Sequence, residues 1–295
     1  MSKFKSLLNI SDLSKLDFFE ILNFSSTLDN QIDDCLLNKQ IGLIFEKNST
    51  RTRLSFQVGI NQLSGKYIDI KLEDLNLQRI ETFEDTFEIM GCYLDALVFR
   101  TNNHQKLNLA KKYFNKPIIN ALSDISHPCQ AISDIYTLRE HFKRDDNFNI
   151  VWCGDVNNVL YSLIESILFL EKTKIYIFTD EKIYKNNHDL FPKTDKISFI
   201  FDINPNILSE ADCVMTDVYN SMNDKIDKEP ILKKFQVNKE LMSQTNDKTV
   251  FMHCLPAKIG SEVTNEIIKG QKSIVLKQAK NRMVAQRGIL KWLNL

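Results

Sequence analysis

Ile41-Gly42-Leu43-Ile44-Phe45-Glu46-Lys47-Asn48-Ser49-Thr50-Arg51-Thr52-Arg53-Leu54-Ser55-Phe56 runs from an apolar stretch through hydroxyl residues and on toward Val58, Ile60 and Leu63. A short apolar run followed by apolar residues at helical spacing reads as strand, tight turn, helix. The first N–H groups of a helix have no internal partner, and the helix dipole adds partial positive charge there. Such a start collects anions, phosphate in particular. Arg51 and Arg53 add planar forks suited to phosphate or carboxylate oxygens. The same residues also read as a capped helix with two solvated arginines, and this segment alone does not separate the two readings.

Outward from this stretch, short apolar runs alternate with segments of helical period. Strands are expected at 41–45, 67–70, 96–100, 117–120, 150–153, 175–179, 198–202, 213–217, 250–254 and 273–276. That alternation predicts an α/β protein with parallel sheets wrapped by helices, and two successive sets predict two doubly wound domains. The charged stretch Lys143-Arg144-Asp145-Asp146-Asn147 sets the boundary, giving domains 1–142 and 143–278. No internal repeat or low-complexity tract interrupts this order.

Composition narrows the function. The 295 residues are 43% hydrophobic and 26% charged, enough for two ordinary cores. A net charge of +0 calls for neither nucleic acid nor an anionic membrane. The start Met1-Ser2-Lys3-Phe4-Lys5 leads into mixed polar and apolar sequence without a signal-type apolar region, so a cytoplasmic protein is expected. Six cysteines without a C-x-x-C pair and five histidines without H-x-x-x-H spacing imply neither disulfides nor a metal site.

In parallel α/β sheets, ligands collect at the carboxyl ends of strands. Arg100 ends one strand, His127-Pro128-Cys129-Gln130 follows another, and Asp155 with Asn157-Asn158, Asp217 and His253-Cys254-Leu255-Pro256 follow three more. Singly, Arg100 also reads as a solvated strand end, His127 as a satisfied histidine beside a proline turn, and Cys254 as a small buried apolar residue. Five polar clusters at strand ends from both halves point instead to a shared cleft between the domains.

These pieces match a known pattern. Phe45 through Phe56, Phe99-Arg100-Thr101, His127-Pro128-Cys129-Gln130, Gly154-Asp155-Val156-Asn157-Asn158, Asp217-Val218-Tyr219-Asn220-Ser221-Met222, Phe251-Met252-His253-Cys254-Leu255-Pro256-Ala257 and Ala279-Lys280-Asn281-Arg282 stand in family order. The chain resembles the aspartate and ornithine carbamoyltransferases, and within them the ornithine branch. The resemblance implies a carbamoyl-phosphate domain and an amino-acid domain joined by two helices, one after Gln130 and a terminal one from about residue 279 that packs back on the first domain. It also implies a homotrimer with sites at subunit borders, no cofactor, and a transferase of arginine and citrulline metabolism. The implied reaction moves the carbamoyl group of carbamoyl phosphate to the δ-amine of L-ornithine, giving L-citrulline and phosphate.

By the same resemblance, Ser49, Thr50, Arg51 and Thr52 wrap the phosphate, with Arg51 as a bidentate clamp. Arg100, His127 and Thr52 direct donors at the carbonyl oxygen, which gains negative charge in the transition state. Gln130 and the Leu255 carbonyl hold the carbamoyl NH2, Arg282 completes the phosphate or carbonyl site, and Asn76 reaches a neighbouring subunit. Asp217 receives the α-ammonium of ornithine, Asn158 its α-carboxylate, and Ser221-Met222 closes over it. Cys254 and Asp217 orient the δ-amine or take its proton.

The pattern is departed from at Asn223, where glycine is usual, at Asn76-Leu77-Gln78, where Gln and Gly are usual, and at Gln278 and Lys280, where acidic residues are usual. Acceptors such as acetylornithine, succinylornithine or putrescine are the nearest alternatives. The first two belong to enzymes with a proline-containing insertion where Asn157-Asn158 here run straight toward Leu160, Leu163 and Ile164. An NAD-binding protein would need a glycine-rich turn, whereas 154–158 holds a single glycine. A catalytically inactive relative is opposed by the retained Arg51, Arg100, His127 and Cys254. The direction of metabolism and any allosteric control leave no mark in the sequence.

Overall fold

The computed structural model describes residues 4–29, 31–75, 80–187, 191–220 and 226–295. The chain divides into two compact units, Met1–Tyr136 with Asn281–Leu295, and Thr137–Lys280. Among the described residues, no helix is long and apolar enough to cross a membrane.

In the first unit, strands β1 (Gln40–Phe45), β2 (Lys66–Ile70), β3 (Ala96–Arg100) and β4 (Ile118–Leu122) form a parallel sheet in the order β2-β1-β3-β4. Strands covered on both faces are continuously apolar, and Ile41, Leu43 and Ile44 of β1 and Ala96 to Phe99 of β3 are fully buried or nearly so. The edge strand β2 is mostly exposed, and its sequence accordingly mixes the charged Lys66 and Asp69 with Tyr67, Ile68 and Ile70. Helices α1 (Lys15–Leu28), α2 (Thr50–Gln62), α3 (Phe83–Tyr93), α4 (His104–Tyr113) and α5 (Pro128–Phe142) accompany the strands. Capping boxes Ser14 with Asp17 and Thr82 with Asp85 start α1 and α3, satisfying N–H groups that the helices cannot. Phe87 of α3 and Phe114 after α4 pack with Leu97 and Phe99 of β3 in one apolar cluster.

The second unit holds β5 (Asn149–Cys153), β6 (Lys174–Phe178), β7 (Ile197–Ile200), β8 (Cys213–Thr216) and β9 (Val250–His253), all parallel in the order β7-β6-β5-β8-β9. Helix α6 (Asn158–Leu168) follows β5, and the short helices α7 (Glu181–Lys185), α8 (Pro205–Ser209), α9 (Glu229–Leu232), α10 (Lys239–Ser243) and α11 (Asn265–Ile268) follow in chain order. In both sheets, strand order reverses at one place, between β1 and β3 and between β5 and β8. Such switch points open crevices at the carboxyl ends.

Residues 273–276 differ from the expected strand. Only Ser273 bridges to Phe251, with Phe251 N–H donating to the Lys272 carbonyl at 2.7 Å. The terminal helix, α12 (Val275–Leu293), then begins four residues before the expected 279. A four-residue apolar run is ambiguous between strand and helix, and here Leu276 is 83% exposed, so the run has no second buried face. Helices α5 and α12 each carry residues of both units.

The end of α12 is fastened to α1 and to the segment that follows it. Trp292 Nε1–H donates to Asp17 at 2.8 Å, and Lys291 pairs with Asp33 at 2.5 Å. Gly288 allows the close approach: a Cβ there would lie 2.3 Å from Ser25 Oγ and 2.7 Å from the Ile21 carbonyl oxygen. Gly288→Ala should gain about 1 kcal/mol of helix propensity and lose more to overpacking, whose usual cost is about 1–3 kcal/mol. A lower urea midpoint is therefore expected. A rise would contradict the close packing.

Candidate functional site

At the first switch point, Phe45 of β1 stands opposite Arg100 of β3, so the two strands end level. Glu46 ties the loops beyond them together. Its carboxylate accepts from the Thr101 hydroxyl at 2.6 Å, the Asn102 N–H at 3.2 Å and Lys106 Nζ at 2.6 Å. This holds Arg100 toward the start of α2, where its Nη1 donates to Ser49 Oγ at 3.1 Å and reaches Thr52 Oγ1 at 3.4 Å. Arg282 of α12 donates to the same Thr52 oxygen at 2.6 Å.

Ser49 is the N-cap of α2, yet its side chain makes no capping bond. The hydroxyl faces a guanidinium instead, and the first N–H groups of α2 are left for another acceptor. Arg51 in the first turn is half-buried, and Thr50 is exposed. An uncapped helix start with Arg51, Arg100 and Arg282 nearby in fold or sequence favours an anion of more than one charge.

His127 and Gln130 are buried beside this arrangement, at the start of α5. Burial first, then the Arg282 and Arg100 charges, hold His127 well below the ordinary histidine pKa. It is neutral at physiological pH and can donate an N–H without adding charge. Gln130 Nε2 donates to Asp134 at 2.8 Å, while its buried Oε1 has no hydrogen-bond partner among the described residues. An orphaned acceptor of this kind costs about 1–3 kcal/mol and suits a ligand NH group.

In the second unit, the level strand ends are Cys153, Thr216 and His253. Asp217 follows β8 and is nearly buried. The Cys254 thiol donates to its Oδ1 at 3.0 Å, and Asn157 Nδ2 donates to its Oδ2 at 2.9 Å. Asn157 also caps α6, its Oδ1 accepting from the Val159 and Leu160 N–H groups. Sequence reading selected Asn158, which is the partly exposed first residue of α6. Asn157, named in the sequence among the polar residues after β5 but given no role, carries the signal of a helix cap, an asparagine just before an apolar periodic run. Leu255, at φ 59°, precedes a cis bond to Pro256. Asn76, Ser221 and Met222 lie outside the described residues.

Asp217, His253 and Cys254 offer ligand atoms within 4.8 Å of one another. Both ring nitrogens of His253 are already engaged, Nδ1 accepting from the Leu255 N–H and Nε2 facing Glu262. Two donors remain in that trio, fewer than a structural or catalytic zinc takes from protein.

Residues 5–140 match the aspartate/ornithine carbamoyltransferase carbamoyl-P binding domain, and residues 146–293 match the Asp/Orn binding domain. The chain belongs to the aspartate/ornithine carbamoyltransferase family. It is 38% identical over 298 residues to an ornithine carbamoyltransferase of Archaeoglobus fulgidus, covering 97% of this chain and 96% of that one. The Pyrococcus furiosus ornithine carbamoyltransferase structure is similar at TM-score 0.86 and 33% identity, covering 97% and 96% of the two chains. That of Burkholderia thailandensis is similar at TM-score 0.88 and 31% identity, covering 98% of each. In this carbamoyltransferase, Ser49, Arg51, Thr52 and Arg100 fall in the match to the carbamoyl-P domain, and Arg282 and the Asp217 arrangement fall in the match to the Asp/Orn domain.

Histidine burial sets a pH dependence. His127, His104 and His141 all have depressed folded-state pKa values, with burial as the largest cause. The unfolded chain therefore takes up protons first as pH falls below about 6.5. Their contribution to stability is complete above that pH and is lost as pH drops toward the depressed values. Urea unfolding should show lower stability at about pH 5 than at about pH 7, and His127→Asn should flatten that difference. An unchanged slope in the variant would contradict the neutral, buried His127.

Proposed function

We propose that this enzyme transfers the carbamoyl group of carbamoyl phosphate to the δ-amine of L-ornithine, giving L-citrulline and phosphate. The observation that carries the acceptor choice is Asp217, held between the Cys254 thiol and the Asn157 amide. A fixed carboxylate suits the ammonium of a diamino acid. Aspartate would need an additional cation, and the first one after Pro256, Lys258, is paired with Glu229 at 2.7 Å. The relatives named above carry the ornithine carbamoyltransferase name, which supports the same choice.

In this proposal, the uncapped start of α2 with Ser49, Thr50, Arg51 and Thr52 binds the phosphate, joined by Arg282. Arg100, Thr52 and neutral His127 donate toward the carbonyl oxygen as the amine nitrogen bonds to its carbon and negative charge develops there. Gln130 Oε1 accepts from the carbamoyl NH2, relieving its orphaned state. Collapse of the tetrahedral intermediate breaks the bond to the phosphate oxygen and restores the carbonyl. The proton lost by the amine goes to the Cys254–Asp217 pair or to the departing phosphate. Asp217 and Asn158 hold the ammonium and carboxylate of ornithine, with Ser221 and Met222 closing over it.

Homotrimer assembly, with Asn76 serving a neighbouring site, belongs to the same proposal. The exposed Leu54, Val58, Ile68 and Tyr93 of the first unit would supply apolar contact area for it. The six free thiols fit a reducing, cytoplasmic setting.

Citrulline formation from carbamoyl phosphate should be seen with ornithine and be weak or absent with acetylornithine, putrescine and aspartate. A comparable kcat/KM for one of these would overturn the acceptor assignment. Arg51→Lys keeps the charge but loses the fork. Its affinity for carbamoyl phosphate should fall at least about tenfold, or about 1.4 kcal/mol. Wild-type affinity would contradict a bidentate clamp.

A further inference from the structure

We infer that the buried His253–Glu262 pair is a positioning device that aims the Cys254 thiol at Asp217. The inference rests on the proposed use of Cys254 and Asp217 in binding the acceptor amine. His253 closes β9, and its side chain and that of Glu262 are both 0% exposed. His253 Nδ1 accepts from the Leu255 N–H at 2.9 Å, so the ring proton must lie on Nε2. Nε2 faces Glu262 Oε1 at 3.2 Å and donates to it. The same carboxylate oxygen accepts from the Lys258 N–H at 2.5 Å.

One buried carboxylate therefore grips both ends of the segment 255–258, directly at Lys258 and through the imidazole at Leu255. The His253 backbone is fixed too, its N–H donating to Gln278 Oε1 at 2.8 Å. Cys254 sits between two clamped residues. Leu255 takes a left-handed backbone, φ 59°, which a branched side chain adopts only where its surroundings impose it. Without the imidazole acceptor, Leu255 would relax toward an ordinary conformation. The preceding peptide would turn, moving the thiol away from its 3.0 Å contact with Asp217.

His253 thus acts through Cys254 and needs no contact with substrate. A merely structural role would lower stability and leave the turnover of each folded molecule unchanged. His253→Leu removes both ring contacts. His253→Asn keeps an acceptor near the Nδ1 position while losing the reach to Glu262. His253→Leu should lower kcat at saturating ornithine more than about tenfold, with the KM for carbamoyl phosphate within about twofold, and His253→Asn should recover part of the loss, short of wild type because the link to Glu262 is gone. Equal kcat per folded molecule in wild type and His253→Leu, or no recovery in His253→Asn, would overturn the inference.

A second readout on the wild-type protein needs neither activity nor a variant that folds. Nitrogen-15 NMR of labelled histidine should show His253 as the Nε2–H tautomer, and the Leu255 amide should exchange slowly with solvent. A proton on Nδ1, or a rapidly exchanging Leu255 amide, would overturn the clamp even in an enzyme that makes citrulline. If both NMR results hold but no citrulline forms, the proposed activity fails and the positioning of Cys254 stands.

Discussion

The level ending of neighbouring parallel strands is the constraint on which everything else depends. Where Phe45 faces Arg100 and Cys153 faces Thr216, the hydrogen-bonded register leaves no freedom about where the following residues start. Parallel strands need crossover connections, and each sheet here winds in two directions from one point. At that point the backbone turns away on both sides, and loops and helix starts converge with polar groups that the sheet does not use. Ser49 and Arg100 lie at one such point, Asn157 and Asp217 at the other. The apolar centre of each strand makes the sheet; its carboxyl end is free for chemistry.

The two ends have opposite electrostatic character. In the first unit, Arg100 and Arg282 share the Thr52 hydroxyl, and the α2 start keeps its own cap unused. Positive groups gathered around a hydroxyl are favourable chiefly when an anion joins them. His127 answers the same field by staying neutral, since a charged imidazole would be buried beside two guanidiniums. In the second unit, the Asp217 carboxylate is flanked by a thiol and an amide, both neutral donors that orient it without cancelling its charge. An anionic carbamoyl donor and a cationic amino acid acceptor are complementary to these two fields.

Much of this was legible in the sequence because periodicity and strand-end chemistry are local. Residues 41–53 announce strand, turn and helix start, and Arg100, His127, Asp217 and Cys254 stand out as polar residues closing or following apolar runs. Two kinds of information were not local. Asn157 reads as a helix cap, but its second bond to Asp217 spans 60 residues and depends on the pairing of β5 with β8. The resemblance assigns Gln130 to the carbamoyl NH2, but only its hydrogen bond to Asp134 shows which of its two polar atoms is left over. The run 273–276 misled for a different reason. Its β-branched residues suit a strand, and Ser273 does touch β9, but the chain beyond it is committed to α12 by contacts with α1 that lie far away in sequence.

The division of labour between the two fields is tested most directly by titrating carbamoyl phosphate calorimetrically, without acceptor, into wild type, Arg100→Gln and Asp217→Asn. Arg100→Gln should weaken binding at least about tenfold, while Asp217→Asn should leave the Kd within about twofold. Equal weakening by the two substitutions, or none by Arg100→Gln, would contradict the assignment of the anionic donor to the arginine-rich strand ends.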